Sequence, residues 1–348
     1  MKTLLSIALL SSTLLASTPL FASAENQVGY TVTQAHVDHR PLPLNVHIWY
    51  PSQSDGKEII VGANPIFVGH KIKAGSTPLK GIYPVMILSH GSGGNAANIG
   101  WYASSLAEQG IIVIAPNHSG TMSGDSTPKN TILTWQRPND ISDLIGNIKG
   151  LLPKGLNYDP AKIGVTGFSL GGYSVMALGG LQLSKQSYID YCKRNAGLMD
   201  CAWMESTNLD LNTIQQDKYE ANYVDPRVKL IVAIDPGFAA AFTQKSLKAI
   251  KTPTQIINLG DPKTLPEAVN SSNLVNEIEG AKYVSIKGAS HFSFLGLCTK
   301  KAAKILKLEG EEPICNDPTS KSRASIHKEV SIAAIEYIKR QFSNSTAN

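Results

Sequence analysis

The chain has 348 residues, of which 42% are hydrophobic and 17% charged, with a formal net charge of +5. That length and apolar content can fill a large core, as one big domain or two small ones. The basic excess is small and forms no long block, so composition gives no support for a nucleic-acid partner.

The first segment, "MKTLLSIALLSSTLLASTPLFASA", combines Lys2, an apolar run from Leu4 to Leu15, and Ala22-Ser23-Ala24. It reads as a secretory signal peptide cleaved after Ala24. The run is too short and too serine-rich for a membrane span, and no later stretch approaches about 18 consecutive apolar residues. No cysteine follows it to carry a lipid. The expected mature protein, residues 25–348, is secreted or periplasmic, with no stable membrane insertion.

Beyond the leader, "QVGYTVTQAHV" and "LPLNVHIWYP" alternate with period two and predict an antiparallel hairpin at the sheet edge. Residues 52–80 are polar and glycine-rich and read as a long loop. "YPVMILSH" and "GIIVIAPN" are apolar on both faces, as buried parallel strands are, and a helix pattern carrying Ile99, Tyr102, Leu106 and Ala107 separates them. A helix near "NDISDLIGNIKGLL", capped by Asn139, leads to the strand "KIGVTGF" and a helix from Leu170 to Leu178. "VKLIVAID", "PTQIINLG" and "AKYVSIKG" follow as strands, and "HKEVSIAAIEYIKRQF" closes the chain as a helix. Alternating strands and helices predict a doubly wound, mostly parallel α/β sheet. There is no internal repeat and no low-complexity linker, which favours one domain. Residues 181–226 interrupt the alternation with a helix-favouring stretch, expected to be a cap or lid insertion.

Four cysteines in an exported chain read first as disulfides, and their spacing suggests Cys192 with Cys201 and Cys298 with Cys315. Zinc is the competing reading, but there is no CxxC pair and no histidine near Cys192 or Cys201. No metal is expected.

The chemistry centres on "GVTGFSLGG", residues 164–172. Gly-x-Ser-x-Gly at a strand end opening a helix is the setting for a strained turn that lifts the Ser169 hydroxyl clear of the backbone. Such a hydroxyl needs a base and an acid to orient it. Of eight histidines, His291 follows the last predicted strand through the short turn "IKGASHFSF". His36, His39, His47 and His327 are expected in surface or structural roles, and His90 in a structural one. Two aspartates compete for the acid. Asp235 ends the apolar strand "LIVAID", where its charge needs a partner, and Asp261 follows the next strand. "SHGSGGN" fits an oxyanion loop, with the backbone N–H groups of Ser92 and Leu170 as donors. As a phosphate-binding loop, "GSGG" lacks the GK[ST] that should follow.

Together, HGSGG, GFSLGG, the aspartate of "AIDPG" and the late "GASHFSF" resemble the α/β-hydrolases. The resemblance is closest to the platelet-activating-factor acetylhydrolase and "predicted dienelactone hydrolase" group, and it covers most of residues 40–342. In the acetylhydrolases the acid follows the strand after the nucleophile helix, in a segment like the one around Asp235, so the resemblance favours Asp235 over Asp261. It also implies a cysteine soon after the late histidine and another before the terminal helix, as Cys298 and Cys315 stand here. True dienelactone hydrolases use a cysteine where this chain has Ser169, and the polyester hydrolases keep a later aspartate where this chain has Lys263.

The expected activity is therefore a Ser169–His291–Asp235 carboxylesterase that needs no cofactor and acts on a small-molecule or lipid ester, by analogy one with a short acyl chain. A lipase, phospholipase A or polyester hydrolase on the same fold, or an inactive secreted binding protein, are the alternatives. Trp101, Tyr102, Trp135, Trp203 and Phe238 are candidates for an apolar substrate pocket. Oligomeric state is left open.

Overall fold

A computed structural model describes residues 27–344. The expected signal peptide lies outside the described residues. Ten strands form one sheet: β1 (Gln27–Ala35), β2 (Leu44–Ser52), β3 (Lys57–Val61), β4 (His70–Ala74), β5 (Ile82–Ser89), β6 (Ile112–Pro116), β7 (Asn157–Phe168), β8 (Leu230–Ile234), β9 (Thr254–Asn258) and β10 (Lys282–Ser285). Their order is β10-β9-β8-β7-β5-β6-β2-β1-β4-β3. β6, β8 and β9 are buried at every position, which is why β6 and β8 are apolar without alternation. From β10 across to β6 all pairings are parallel.

The helices are α1 (Gly100–Glu108), α2 (Pro128–Thr131), α3 (Gln136–Gly146), α4 (Ile148–Leu151), α5 (Leu170–Ala177), α6 (Lys185–Arg194), α7 (Met199–Glu205), α8 (Gln216–Tyr219), α9 (Gln244–Ala249), α10 (Ala302–Glu309) and α11 (Arg323–Asn344). They cover both faces of the sheet. Val85, Ile87, Val165 and Ile231 point to a core shared with α3 and α5. Met86, Leu88, Phe168 and Val232 point the other way, to a core shared with α1 and α11. All eight residues of α5 are buried, so the helix that starts beside Ser169 is locked against the sheet.

Three expectations change. The hairpin β1–β2 is antiparallel as read, but it is internal, because β2 also pairs β6 and β1 also pairs β4. The segment 52–80 is not a loop throughout, since β3 and β4 pair within it and form the sheet edge. Their lysines and glutamate keep that edge soluble and mask the strand pattern. Asn139 does not cap the third helix; it lies inside α3, whose N-cap position is Trp135. Both disulfides form, Cys192–Cys201 joining α6 to α7 and Cys298–Cys315 spanning α10.

The chain leaves β5 for β6 on one side, then returns to place β7 on the other side of β5. Loops after β5 and β7 therefore diverge, and the crevice at such a switch point is where open α/β sheets bind ligands. Gly171 fixes how closely those loops approach, because a Cβ there would overlap the Ser89 carbonyl and sit 2.8 Å from the His90 oxygen. Gly171→Ala is expected to destabilise the fold by about 3 kcal/mol, the upper end for overpacking, read as a lowered urea midpoint. An unchanged midpoint would mean that β5 has room to yield.

Candidate active site

Ser169 joins β7 to α5 with φ 56° and ψ −121°, a region that a residue bearing a side chain enters only under strain. Neighbouring strands hold it there: its N–H donates to Ile234 O at 2.9 Å and its carbonyl accepts from Gly237 N–H at 2.9 Å. Gly167 and Gly172 lack side chains where the α5 backbone and Pro236 come within contact. The half-buried hydroxyl is thereby presented at the carboxyl end of the sheet.

Two residues reach it in sequence. His291 begins a short turn after β10, and its Nε2 is 3.0 Å from Ser169 Oγ. Its Nδ1 is 3.0 Å from Asp235 Oδ2. Asp235 is fully buried one residue beyond β8, at φ 41°. Its other oxygen accepts from Asn258 Nδ2–H at 2.8 Å and Leu259 N–H at 2.7 Å. Three donors thus face one buried carboxylate, which offsets the cost of taking its charge from water. A carboxylate acceptor at Nδ1 leaves Nε2 free to accept the serine proton. Asp261 is elsewhere: it is exposed and its carboxylate accepts from Lys263 N–H at 2.9 Å.

The "HGSGG" loop leaves β5 and passes against the serine, with a Cβ at Gly91 only 3.2 Å from that of Ser169. Leu170 is the first residue of α5, so its N–H has no acceptor within the helix. Ser92 is exposed, and its hydroxyl meets Ser126 Oγ and Thr131 Oγ1, both at 2.9 Å.

The aromatic candidates divide. Tyr102 is fully buried with its hydroxyl 3.2 Å from Thr166 Oγ1, so it offers no surface to a substrate and that expectation is corrected. Trp101 stacks on His327 at 3.6 Å and donates to Phe294 O at 2.9 Å; it is engaged in packing α1 against α11. Trp135 is nearly buried, with Lys218 over its ring, and Trp203 packs against the α3–α5 core. Phe238 stands three residues after Asp235 in a left-handed conformation, φ 61°. It lies edge-on to Tyr173, Tyr188 and Tyr219, the last two belonging to the 181–226 segment.

Sequence reasoning passed over a second set of polar residues behind the loop. His118 Nδ1 is 2.7 Å from Asp140 Oδ2 and its Nε2 is 2.9 Å from Ser89 Oγ. All three residues are fully buried. Asp140 also takes Nε–H and Nη2–H of Arg40 at 2.8 and 2.7 Å. Arg137, one turn earlier on α3, is buried with its guanidinium on Thr121, His90 and Gly91. "RPND" at 137–140 held the signal, because two charged residues stand there on a helix flanked by apolar ones. Among the described residues no group of three or more His, Cys, Asp or Glu side chains could hold a metal ion.

Residues 97–223 match the prolyl oligopeptidase family. No curated protein matches the chain in sequence. In structure it is similar to a ferulic acid esterase from Streptomyces cinnamoneus, with TM-score 0.59 and 15% identity over 92% of this chain and 91% of that one. It also matches a dienelactone hydrolase from Anabaena variabilis, with TM-score 0.48 and 11% identity over 90% and 98%. The chain has the α/β-hydrolase fold.

Burial governs most histidines of this chain. It pushes His47, His70, His118 and His327 down to about 4 and His90 well below its usual 6.5. The unfolded chain takes up protons at these sites below about pH 6.5, whereas the folded chain resists until about pH 4 at the first four and until well below 6.5 at His90. Their contribution to stability is therefore intact above pH 6.5 and is lost as pH falls toward 4. His39 runs the other way: its hydrogen bond to Asp140 raises it, so its contribution is present at low pH and lost as pH rises through the raised value. With five sites against one, unfolding free energy measured in urea is expected to fall steadily from pH 7 to pH 5. A flat profile would contradict neutral burial of these imidazoles.

Proposed function

We propose that the protein is an exported carboxylic-ester hydrolase in which Ser169 is the nucleophile, His291 the general base and Asp235 the acid that orients it. The observation that carries the reading is the unbroken chain of two 3.0 Å contacts from Ser169 through His291 to Asp235, beneath a glycine loop.

His291 Nε2 takes the Ser169 proton as Oγ attacks the ester carbonyl. Asp235 accepts from Nδ1–H and stabilises the imidazolium that forms. Collapse of the tetrahedral intermediate expels the alcohol, which leaves with the proton from His291. Water then attacks the acyl-enzyme by the same route in reverse. The N–H groups of Ser92 and Leu170 hold the oxyanion, where loss of one donor typically costs about 2.7–4 kcal/mol of barrier. No metal enters these steps. The 181–226 segment acts as a cap, and the Phe238 ring among its tyrosines supports an apolar wall for the acyl group. Small-molecule or lipid esters, expected short in the acyl chain, are the proposed substrates. Export is supported by the leader-like N-terminus and the two disulfides, since disulfides persist in oxidising compartments. Among the described residues no helix is long and apolar enough to cross a membrane.

The family match over 97–223 favours one second reading, a peptidase using the same triad. Assays with p-nitrophenyl acetate, butyrate and octanoate beside peptide p-nitroanilides separate the two. Ester turnover is expected to exceed anilide turnover and to fall by more than about 10³-fold in Ser169→Ala. Asp235→Asn should lose about 10⁴-fold, as a wrong tautomer does, while Asp261→Asn stays within about 2-fold. Equal ester turnover by wild type and Ser169→Ala would sink the proposal, and preferred cleavage of the anilides would favour the peptidase.

A further inference from the structure

We infer that Arg137, acting with His90, is the positioning residue that aims the Ser92 N–H at the oxyanion. The inference rests on Ser169 being the nucleophile that is acylated.

The argument is geometric. The Ser92 N–H belongs to the same peptide unit as the Gly91 carbonyl, and no peptide in the described residues is cis. In a trans unit the C=O and N–H point to opposite sides, so whatever holds the Gly91 oxygen aims the Ser92 hydrogen. Three donors hold that oxygen: His90 Nδ1–H at 2.7 Å, Gly94 N–H at 3.2 Å and Arg137 Nη2–H at 3.3 Å. Arg137 Nη1–H grips the preceding carbonyl, His90 O. Two consecutive carbonyls are thus drawn toward one guanidinium buried behind the loop. Among the described residues the Ser92 N–H forms no hydrogen bond, as expected of a donor kept for a ligand.

The guanidinium is itself fixed. Thr121 Oγ1 accepts from Nε–H at 3.0 Å and from Nη2–H at 2.8 Å. Thr121 O also accepts from Gly93 N–H at 3.0 Å, so arginine and loop share an anchor. His90 serves these two contacts in a single neutral tautomer, because Nδ1–H donates to Gly91 O while Nε2 accepts from His118 N–H at 3.1 Å. Burial and the Arg137 charge together keep it neutral. His118 is in turn held between Asp140 and Ser89. The buried Ser89–His118–Asp140 chain has no access for a substrate, and its place is in this brace. A lysine could neutralise the same acidic surroundings, but it lacks the planar fork that reaches two carbonyls and a hydroxyl at once.

A brace of this kind changes the transition state more than the ground state, and that separates it from a residue that only keeps the protein folded. Arg137→Lys and Thr121→Val are to be compared with wild type on p-nitrophenyl butyrate, with active sites titrated by a fluorophosphonate. An alkyl trifluoromethyl ketone, whose adduct with Ser169 carries an oxyanion, is the second probe. For Arg137→Lys, kcat per titrated site should fall at least about 10-fold with KM within about 3-fold, short of the roughly 10²–10³-fold of a lost donor. Ketone affinity should weaken in proportion. Thr121→Val, which keeps the side-chain shape and removes an acceptor shared by two guanidinium N–H groups, should show the same split at smaller size. It decides the matter if Arg137→Lys does not fold. Wild-type kcat per titrated site, or undiminished ketone affinity, in the folded variants overturns the inference while leaving Ser169 as nucleophile. Failure of the fluorophosphonate to label wild-type Ser169 overturns both.

Discussion

Between Phe168 and Leu170 the backbone turns from strand to helix through Ser169 at φ 56°, and it can do so only because glycines surround the turn. Gly171 lets the carbonyl of Ser89 into van der Waals range, and Gly172 does the same for Pro236. β5, β7 and β8 therefore end at a common level, with Ser89 beside Gly167 and Phe168 beside Ile234 in the ladder. One residue further on, the three strands deliver His90, Ser169 and Asp235. The strain in the turn is borne by the buried helix α5 and by the 2.9 Å hydrogen bonds to Ile234 and Gly237. His291 then completes the chain of contacts from the far side of β9.

Among the described residues two chains of serine, histidine and aspartate stand at hydrogen-bond distance, and their difference is instructive. In the first, Ser169 is half-buried and His291 keeps about a quarter of its side chain exposed. In the second, Ser89, His118 and Asp140 are all sealed from solvent. The residue types and the contacts are alike, so neither composition nor pairwise distance separates the set proposed to react from the one sealed in the core. What separates them is a backbone that lifts one hydroxyl out of the sheet and leaves the other at the end of β5, buried against His118. The second set lies directly behind the loop that faces the first, and the same helix, α3, supplies its aspartate and Arg137.

Much of this was legible in the sequence, for identifiable reasons. The buried parallel strands β6 and β8 are apolar at every position, so their pattern survives translation into letters. Gly-x-Ser-x-Gly is legible because the turn tolerates no side chains on its flanks. Asp235 was a candidate because a charge ending an apolar strand must find a partner, and the family resemblance set it ahead of Asp261. β3 and β4 were not legible: edge strands that carry Lys57, Glu58, Lys71 and Lys73 look like a polar loop. The start of α3 was misread because Asn139 has the chemistry of a cap, while the helix begins earlier, at Gln136. Tyr102 and the second serine–histidine–aspartate chain show a more general limit. An aromatic near a motif can turn into the core instead of toward the site, as Tyr102 does on α1, and His118, Asp140 and Arg137 become a unit only when the fold brings β6 and α3 behind the loop.

The central claim is that one serine, activated by one histidine, does the chemistry. Its most direct test is to treat the wild type and His291→Ala with a fluorophosphonate and map the modified peptide by mass spectrometry while following the rate. The account predicts a single adduct on Ser169, formed at least about 10²-fold more slowly without the imidazole, in line with the usual contribution of general-base assistance. An adduct on another residue, or labelling of Ser169 at an unchanged rate in His291→Ala, would contradict it.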